Sequence, residues 1–314
     1  MPKQSRPRFG SLQYWPRKRA KKAIPSVNWS PIKDLGVLGF ITYKVGMKSA
    51  LVKDNTPNSM TKGKRISVPV TVLEAPPMKI FSARLYKNGL VKNDLILNND
   101  KELKKKLKLP KQLKGLEALE KEDFDDLTIL VYSLVKVTSI KKTPDLIELG
   151  LGGNKEEKIK FVKDYSKKEI LLADVLKDSG LVDVRGLTKG KGLSGPMKRF
   201  GIGMKGHKSE KGRRLPGSLG PWHPARVTFR VPMAGKLGMF SLIVYNNKII
   251  FIGRISETDI NPPQGFKHYG KIKNEYLILR GSVQGSQKRQ LLLTKPLRKT
   301  RKQEKKTFEF LELR

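Results

Sequence analysis

The sequence contains no cysteine in 314 residues, which excludes disulfides, thiolate metal sites and thiol catalysis together. Histidine is nearly as scarce. The three present, His207, His223 and His268, are far apart, and none stands at a metal-ligand spacing such as H-x-x-x-H. There is no G-x-S-x-G nucleophile elbow. Acids are in short supply too, 28 Asp and Glu against 66 Lys and Arg, for a formal charge of +38. No apolar run reaches transmembrane length, and neither a lipidation site nor an amphipathic helix suited to a membrane surface stands out. These absences argue against an enzyme, a metal, a cofactor, a small-molecule substrate and a membrane, and a reducing, cytoplasmic setting suits them.

What is present is positive charge, unevenly placed. Residues 1–22 hold eight Lys and Arg, among them Arg17, Lys18 and Arg19, and no acid. Residues 185–236 hold thirteen against Glu210 alone, and residues 286–306 hold nine against Glu304 alone. Between Glu74 and Gly180, by contrast, 22 basic and 18 acidic residues nearly cancel. One cationic run is often only a solvated face or a localisation signal. Three with almost no interspersed acid imply a polyanion, bound mainly by phosphate neutralisation and counterion release.

Aromatics make up only 7% of the chain, while Gly and Pro number 28 and 19, so short strands between turns are expected. Strand patterns appear in "GVLGFITYKVGM" (residues 36–47, continued through 49–53), in residues 66–73 and in "LTILVYSLVKV" (127–137). Pro69 inside the second suggests an edge or a bulge. "NKEEKIKFVKDYSKKE" has helical spacing with Asn154 as N-cap. Strands are also expected in "GLVDVRG", "RVTFRV" (226–231), "NEYLILRGSVQG" and "KRQLLLT", and a hairpin in "MFSLIVYNNKIIFIGRI" turning at Asn246-Asn247. Phe308, Phe310 and Leu311 in "TFEFLELR" read as a short docking segment for a protein surface or a neighbouring subunit.

The expected fold class is therefore mainly β with an α/β insertion: a split, Gly-rich β-barrel with long basic N-terminal, internal and C-terminal extensions. The expected divisions are a basic extension over 1–35, the first part of the barrel over 36–75 and a near-neutral α/β insertion over 76–180. The second part of the barrel follows over 181–294, carrying a basic Gly-rich extension at about 186–236, and a basic tail over 295–314 completes the chain.

Gly190 to Gly195 spells G-x-G-x-x-G, the dinucleotide fingerprint. That pattern needs a strand before it and a stable helix opening within it. "LVDVRG" precedes it, but "PMKRFGIGMKG" is too Gly-rich to promise such a helix, and Glu210 does not end a second hydrophobic strand. A nucleotide-dependent enzyme using this loop is one alternative; a DNA or chromatin architectural protein is another. Glycines that let backbone approach phosphate, cations between them, and the flat groups Phe200, Trp222 and His223 fit RNA better.

The pieces "GSLQYWPRKRA", "GFITYKVGM", "PVTVLEAPP", "VDVRGLTKGKGLSGPMKRFG", "GSLGPWHPARV" and "NPPQGFKHYGKIKNEYLILRGSVQGSQKR" follow one another over about 10–290. In that order they closely resemble the universal large-subunit ribosomal protein three family in its archaeal and eukaryotic form. The resemblance implies a non-enzymatic component of the large ribosomal subunit. It would bind the large-subunit rRNA, help early assembly and reach towards the peptidyl transferase centre through an internal extension. Its partners would be that rRNA and neighbouring ribosomal proteins, and it would not be a homo-oligomer. Carried over, "GPWHPAR" places Trp222 at the tip of the extension with His223 and Arg226 beside it, while "TKGKG" and "KRFG" place Lys189, Lys191, Lys198 and Arg199 on RNA at its base. Arg17, Lys18, Arg19, His207, Arg213 and Arg214 complete the expected rRNA-binding set. The eukaryotic form carries a Lys-Thr-His-Arg-Gly-type run where this chain has "GHKSEKGRRLPG", so that histidine's role does not carry over directly to His207.

Overall fold

Fourteen strands run through the computed structural model, which describes residues 17–314 apart from 33, 112, 114, 115, 117, 118, 120, 121, 177 and 178. Trp15 and the N-terminal cations Lys3, Arg6 and Arg8 lie outside the described residues. The strands are β1 (Gly36–Val37), β2 (Gly39–Asp54), β3 (Arg65–Ala75), β4 (Met78–Lys87), β5 (Leu90–Ile96), β6 (Asp126–Ser133) and β7 (Leu146–Gly152). They continue as β8 (Leu181–Leu187), β9 (Leu193–Ser194), β10 (Gly235–Lys236), β11 (Ser241–Arg254), β12 (Glu275–Arg280), β13 (Gln290–Thr294) and β14 (Phe308–Leu313). Among the described residues the α-helices are short: α1 (Val135–Thr138), α2 (Lys155–Tyr165), α3 (Leu172–Leu176), α4 (Pro196–Phe200) and α5 (Arg301–Glu304). Among the described residues no helix is long and apolar enough to cross a membrane. The chain divides into a larger unit, Ala23–Gly186 with Leu242–Arg314, and a smaller one whose described residues are 17–22 and 187–241.

The larger unit is built on β2. Its first residues, Gly39–Tyr43, pair with β13; its last, Ala50–Asp54, pair with β14; its other edge pairs with β3 from Tyr43 to Lys53. The order β13-β8-β11-β12-β3-β2 then returns to β13, so six strands close into a ring with β14 attached to the far end of β2. The mainly β fold is thus present, and its barrel-like part is this ring. Leu291, Leu292 and Leu293 of β13 are all fully buried, each contributing about 1.5–3 kcal/mol of apolar burial. Pro69 sits one residue past the last β3–β12 pair, Arg280 with Val70, and its carbonyl accepts the Gly281 N–H at 2.8 Å. Its missing N–H therefore faces the end of the ladder, the edge position expected of a strand proline.

The intervening segment, joined by β1 from before β2, forms a second sheet, β1-β7-β6-β4-β5. Its β4–β5 hairpin turns at Asn88-Gly89, both at positive φ (52° and 74°), as a two-residue hairpin of this type requires. Helix α2 begins at Asn154 with a full capping box, the Glu157 carboxylate accepting the Asn154 N–H at 2.8 Å. The two sheets of this unit meet through Tyr43 of β2. Its buried hydroxyl donates to Asp145 at 2.5 Å and lies 2.7 Å from the Ser133 hydroxyl, and burial pushes its pKa upward. Trp29 is half-buried and packs against the core.

Three local expectations are corrected. Residues 241–254 form one strand, β11, not a hairpin. Asn246 does adopt positive φ (53°), but its N–H goes to the Asp183 carboxylate at 2.7 Å and its Nδ2 to the Arg298 carbonyl at 2.9 Å. Side-chain bonds thus absorb a kink that an Asn-Asn pair normally turns into a reversal. Residues 226–231 form no strand and are exposed but for half-buried Val231, because alternation without a partner edge leaves the ladder unmade. Phe308–Leu313, finally, docks within its own chain as β14, with Phe310 stacked on Phe251 at 5.0 Å between ring centroids.

Candidate nucleic-acid interface

The smaller unit is a long excursion whose two arms are tied together at the base. Thr188 N–H donates to Phe240 O (3.0 Å), Lys191 N–H to Leu237 O (2.9 Å) and Leu237 N–H to Gly192 O (3.0 Å), and β9 pairs antiparallel with β10 beyond them. At Gly238 (φ +82°) a Cβ would lie 1.9 Å from the Lys189 carbonyl oxygen, so only glycine lets the arms close.

This geometry decides the Gly190–Gly195 fingerprint. The Lys191 N–H is spent on Leu237, and Gly195 caps α4. A helix does follow, contrary to the expectation that so many glycines would prevent one. It runs for only five residues, with Pro196 preset for the first turn, and ends at Gly201 (φ +69°), whose N–H donates to Met197 O at 2.8 Å. So short a helix supplies little of the dipole on which a bound pyrophosphate sits.

At α4 two arginines lie over one ring. The Arg17 and Arg199 guanidiniums lie 4.6 and 5.2 Å from the Phe200 centroid. Arg17 Nη1 donates to Arg199 O at 3.0 Å, and Arg199 Nη2 to Arg17 O at 2.6 Å. Arg199 also donates from Nε to Lys236 O and from Nη1 to Met233 O, each at 3.1 Å.

Beyond α4, residues 201–230 are almost wholly exposed. Local backbone bonds hold the loop: Lys205 N–H donates to Arg213 O (3.1 Å), and Arg213 Nε donates to Lys205 O (3.3 Å). Trp222 is 87% exposed and is followed by the cis His223–Pro224 peptide. Phe229 is 65% exposed, with the Arg230 guanidinium 5.6 Å from its ring centroid. The ion pairs among the described residues all lie outside 187–241.

Of the residues singled out from sequence, Lys18, Arg19, Lys189, Lys191, Lys198, His207, Arg213, Arg214, Trp222, His223 and Arg226 are exposed, while Arg17 and Arg199 are half-buried and engaged within the protein. Lys18, Arg19, Lys189 and Lys191 lie near the tied base, Lys198 stands on α4, and the others are spread along an open loop. Phe229 with Arg230 is an exposed aromatic–cation pair that sequence reasoning assigned to a strand; the missed signal is the Gly- and Pro-rich run before it, which offers no neighbouring strand. Exposed cations and rings of this kind are the groups that, in general, neutralise phosphates and stack on unpaired bases.

The family model described as Ribosomal protein L3 matches residues 1–91 and 97–313. The large ribosomal subunit protein uL3 of Methanocaldococcus jannaschii is 39% identical over 310 residues, covering 94% of this chain and 92% of its own length. That of Methanobrevibacter smithii is 40% identical over 321 residues, covering 97% and 95%, and that of Methanosphaera stadtmanae 38% identical over 321, covering 96% and 95%. Matches of this extent on a mainly β fold leave one assignment: the chain belongs to the ribosomal protein L3 family.

Proposed function

We propose that the chain acts as a structural, non-enzymatic component of the large ribosomal subunit, binding large-subunit rRNA, supporting early assembly and extending the Trp222 loop towards the peptidyl transferase centre. The observation that carries this reading is the excursion itself: residues 185–236 hold thirteen Lys and Arg with one acid, and beyond α4 they run exposed, presenting Trp222 and Phe229. A segment so charged is stabilised by a polyanion, and counterion release makes that binding steeply salt-dependent. Lys18, Arg19, Lys189, Lys191, Lys198, Arg213, Arg214 and Arg226 serve as phosphate contacts, with His207, Trp222 and His223 at sugars and bases.

The test is sedimentation of the native protein through a sucrose gradient, paired with rRNA binding measured from low to moderate salt. Co-migration with the large subunit, and affinity falling by orders of magnitude between about 50 and 200 mM salt, are expected. Migration apart from the subunit, or equal affinity for duplex DNA at physiological salt, would count against the reading.

A further inference from the structure

The half-buried position of Arg17 and Arg199 among otherwise exposed cations needs an explanation. An RNA-contacting arginine keeps its donors turned outward for a bidentate grip on phosphate. Arg199 instead spends Nε, Nη1 and Nη2 on three carbonyls from two separate parts of the chain: Lys236 and Met233 on the returning arm, and Arg17 in the N-terminal segment. Its own carbonyl receives Arg17 Nη1 in return. The Phe200 face offsets the repulsion between the two guanidiniums. The next residues are tied by a backbone bond, Ala20 N–H to Met239 O at 2.9 Å. Gly235 clears the space, since a Cβ there would lie 2.8 Å from the Arg199 guanidinium.

We propose that Arg199 is a positioning residue, fixing residues 17–20 to the base of the internal excursion so that the two meet RNA as one preorganised surface. The proposal rests on the RNA-binding reading above and departs from it in giving Arg199 no phosphate. Lys18, Arg19 and Lys198, exposed around the clamp, are the side chains it aligns. Ordering them before binding reduces the entropy lost on the RNA. A lysine at 199 keeps the charge but lacks the planar fork that spans three acceptors.

Full-length wild type, Arg199→Lys, Gly235→Ala, the Lys18→Ala/Arg19→Ala pair, and each of the first two combined with that pair are compared. The free protein is read by amide exchange at Ala20; rRNA affinity is read at fixed salt. Arg199→Lys and Gly235→Ala, neither of which changes the net charge, should each accelerate Ala20 exchange roughly tenfold or more and weaken rRNA binding about tenfold. Combined with the pair, either should add much less than it costs alone. Wild-type exchange and affinity in both variants, or fully additive losses, overturn the proposal. If wild type itself fails to bind rRNA, the functional reading falls and the RNA part of the proposal with it. Ala20 exchange then still decides the clamp by itself.

Discussion

Trp222 and Tyr43 are large aromatic residues in opposite circumstances. Trp222 is exposed in a loop with Gly220 and Pro221 before it, so its ring contributes little to folding. Trp222→Ala should leave the melting temperature of the isolated protein within about 1–2 °C, because exposed substitutions change stability by roughly 0.5 kcal/mol or less, while impairing ribosomes that incorporate it. A large fall in melting temperature would place the ring in a core instead. Tyr43 is fully buried and its hydroxyl bonds Asp145 and Ser133 across two sheets. Tyr43→Phe should cost about 1–3 kcal/mol in urea unfolding, the penalty for leaving buried polar partners short of a hydrogen bond. No measurable loss would mean those partners re-pair. Of the two, only Trp222 could be judged from its neighbours in sequence. Tyr43 sits in an ordinary strand pattern, and its partners are 90 and 102 residues away.

At the scale of the element, the end of β2 shows how a turn acquires a pH dependence. Asp54 accepts the Thr56 N–H at 2.9 Å, the Ser59 hydroxyl at 2.8 Å and the Thr61 hydroxyl at 2.5 Å. Hydrogen bonds from Thr56 and Thr61 are the main reason its carboxyl is held well below the usual carboxylate range. A depressed folded pKa contributes stability above the unfolded value, about 3.9, and loses it as pH falls below about 4 towards the folded value. The stability gap between wild type and Asp54→Asn should therefore be larger at pH 7 than at pH 3 by urea unfolding. A gap unchanged with pH would show that the ionised form has no special role. Strand and helix positions such as α2, β8, β12 and β13 were legible because period and caps are local properties. The β11 hairpin and the strand at 226–231 were misread for the opposite reason: a reversal or a ladder depends on a partner, and Asp183 and Arg298 are far from Asn246 in sequence.

For the whole molecule, charge separates a near-neutral body from cationic segments. Limited trypsin digestion of the free protein should cut first within 201–230, where Lys and Arg are exposed and apolar packing is sparse. Large-subunit rRNA should suppress those cuts. Equal cleavage with and without RNA would contradict an RNA-bound excursion. The candidate site was legible as a region, because thirteen cations against one acid can be counted along the chain. It was not legible as an arrangement, since a cation free for phosphate and one committed to carbonyls are written with the same letter.

Composition, charge distribution and ordered motifs by themselves determined that this is a mainly β, polycationic chain of a ribosomal protein family. These are properties of residue type and spacing, which folding does not alter. Tertiary structure alone decided that β2 carries three partner strands, that the C-terminal strand docks on its own chain, and that Arg17 and Arg199 face Phe200 and backbone carbonyls while their neighbours face solvent. Each depends on groups distant in sequence coming within hydrogen-bond or van der Waals reach, which no local pattern encodes.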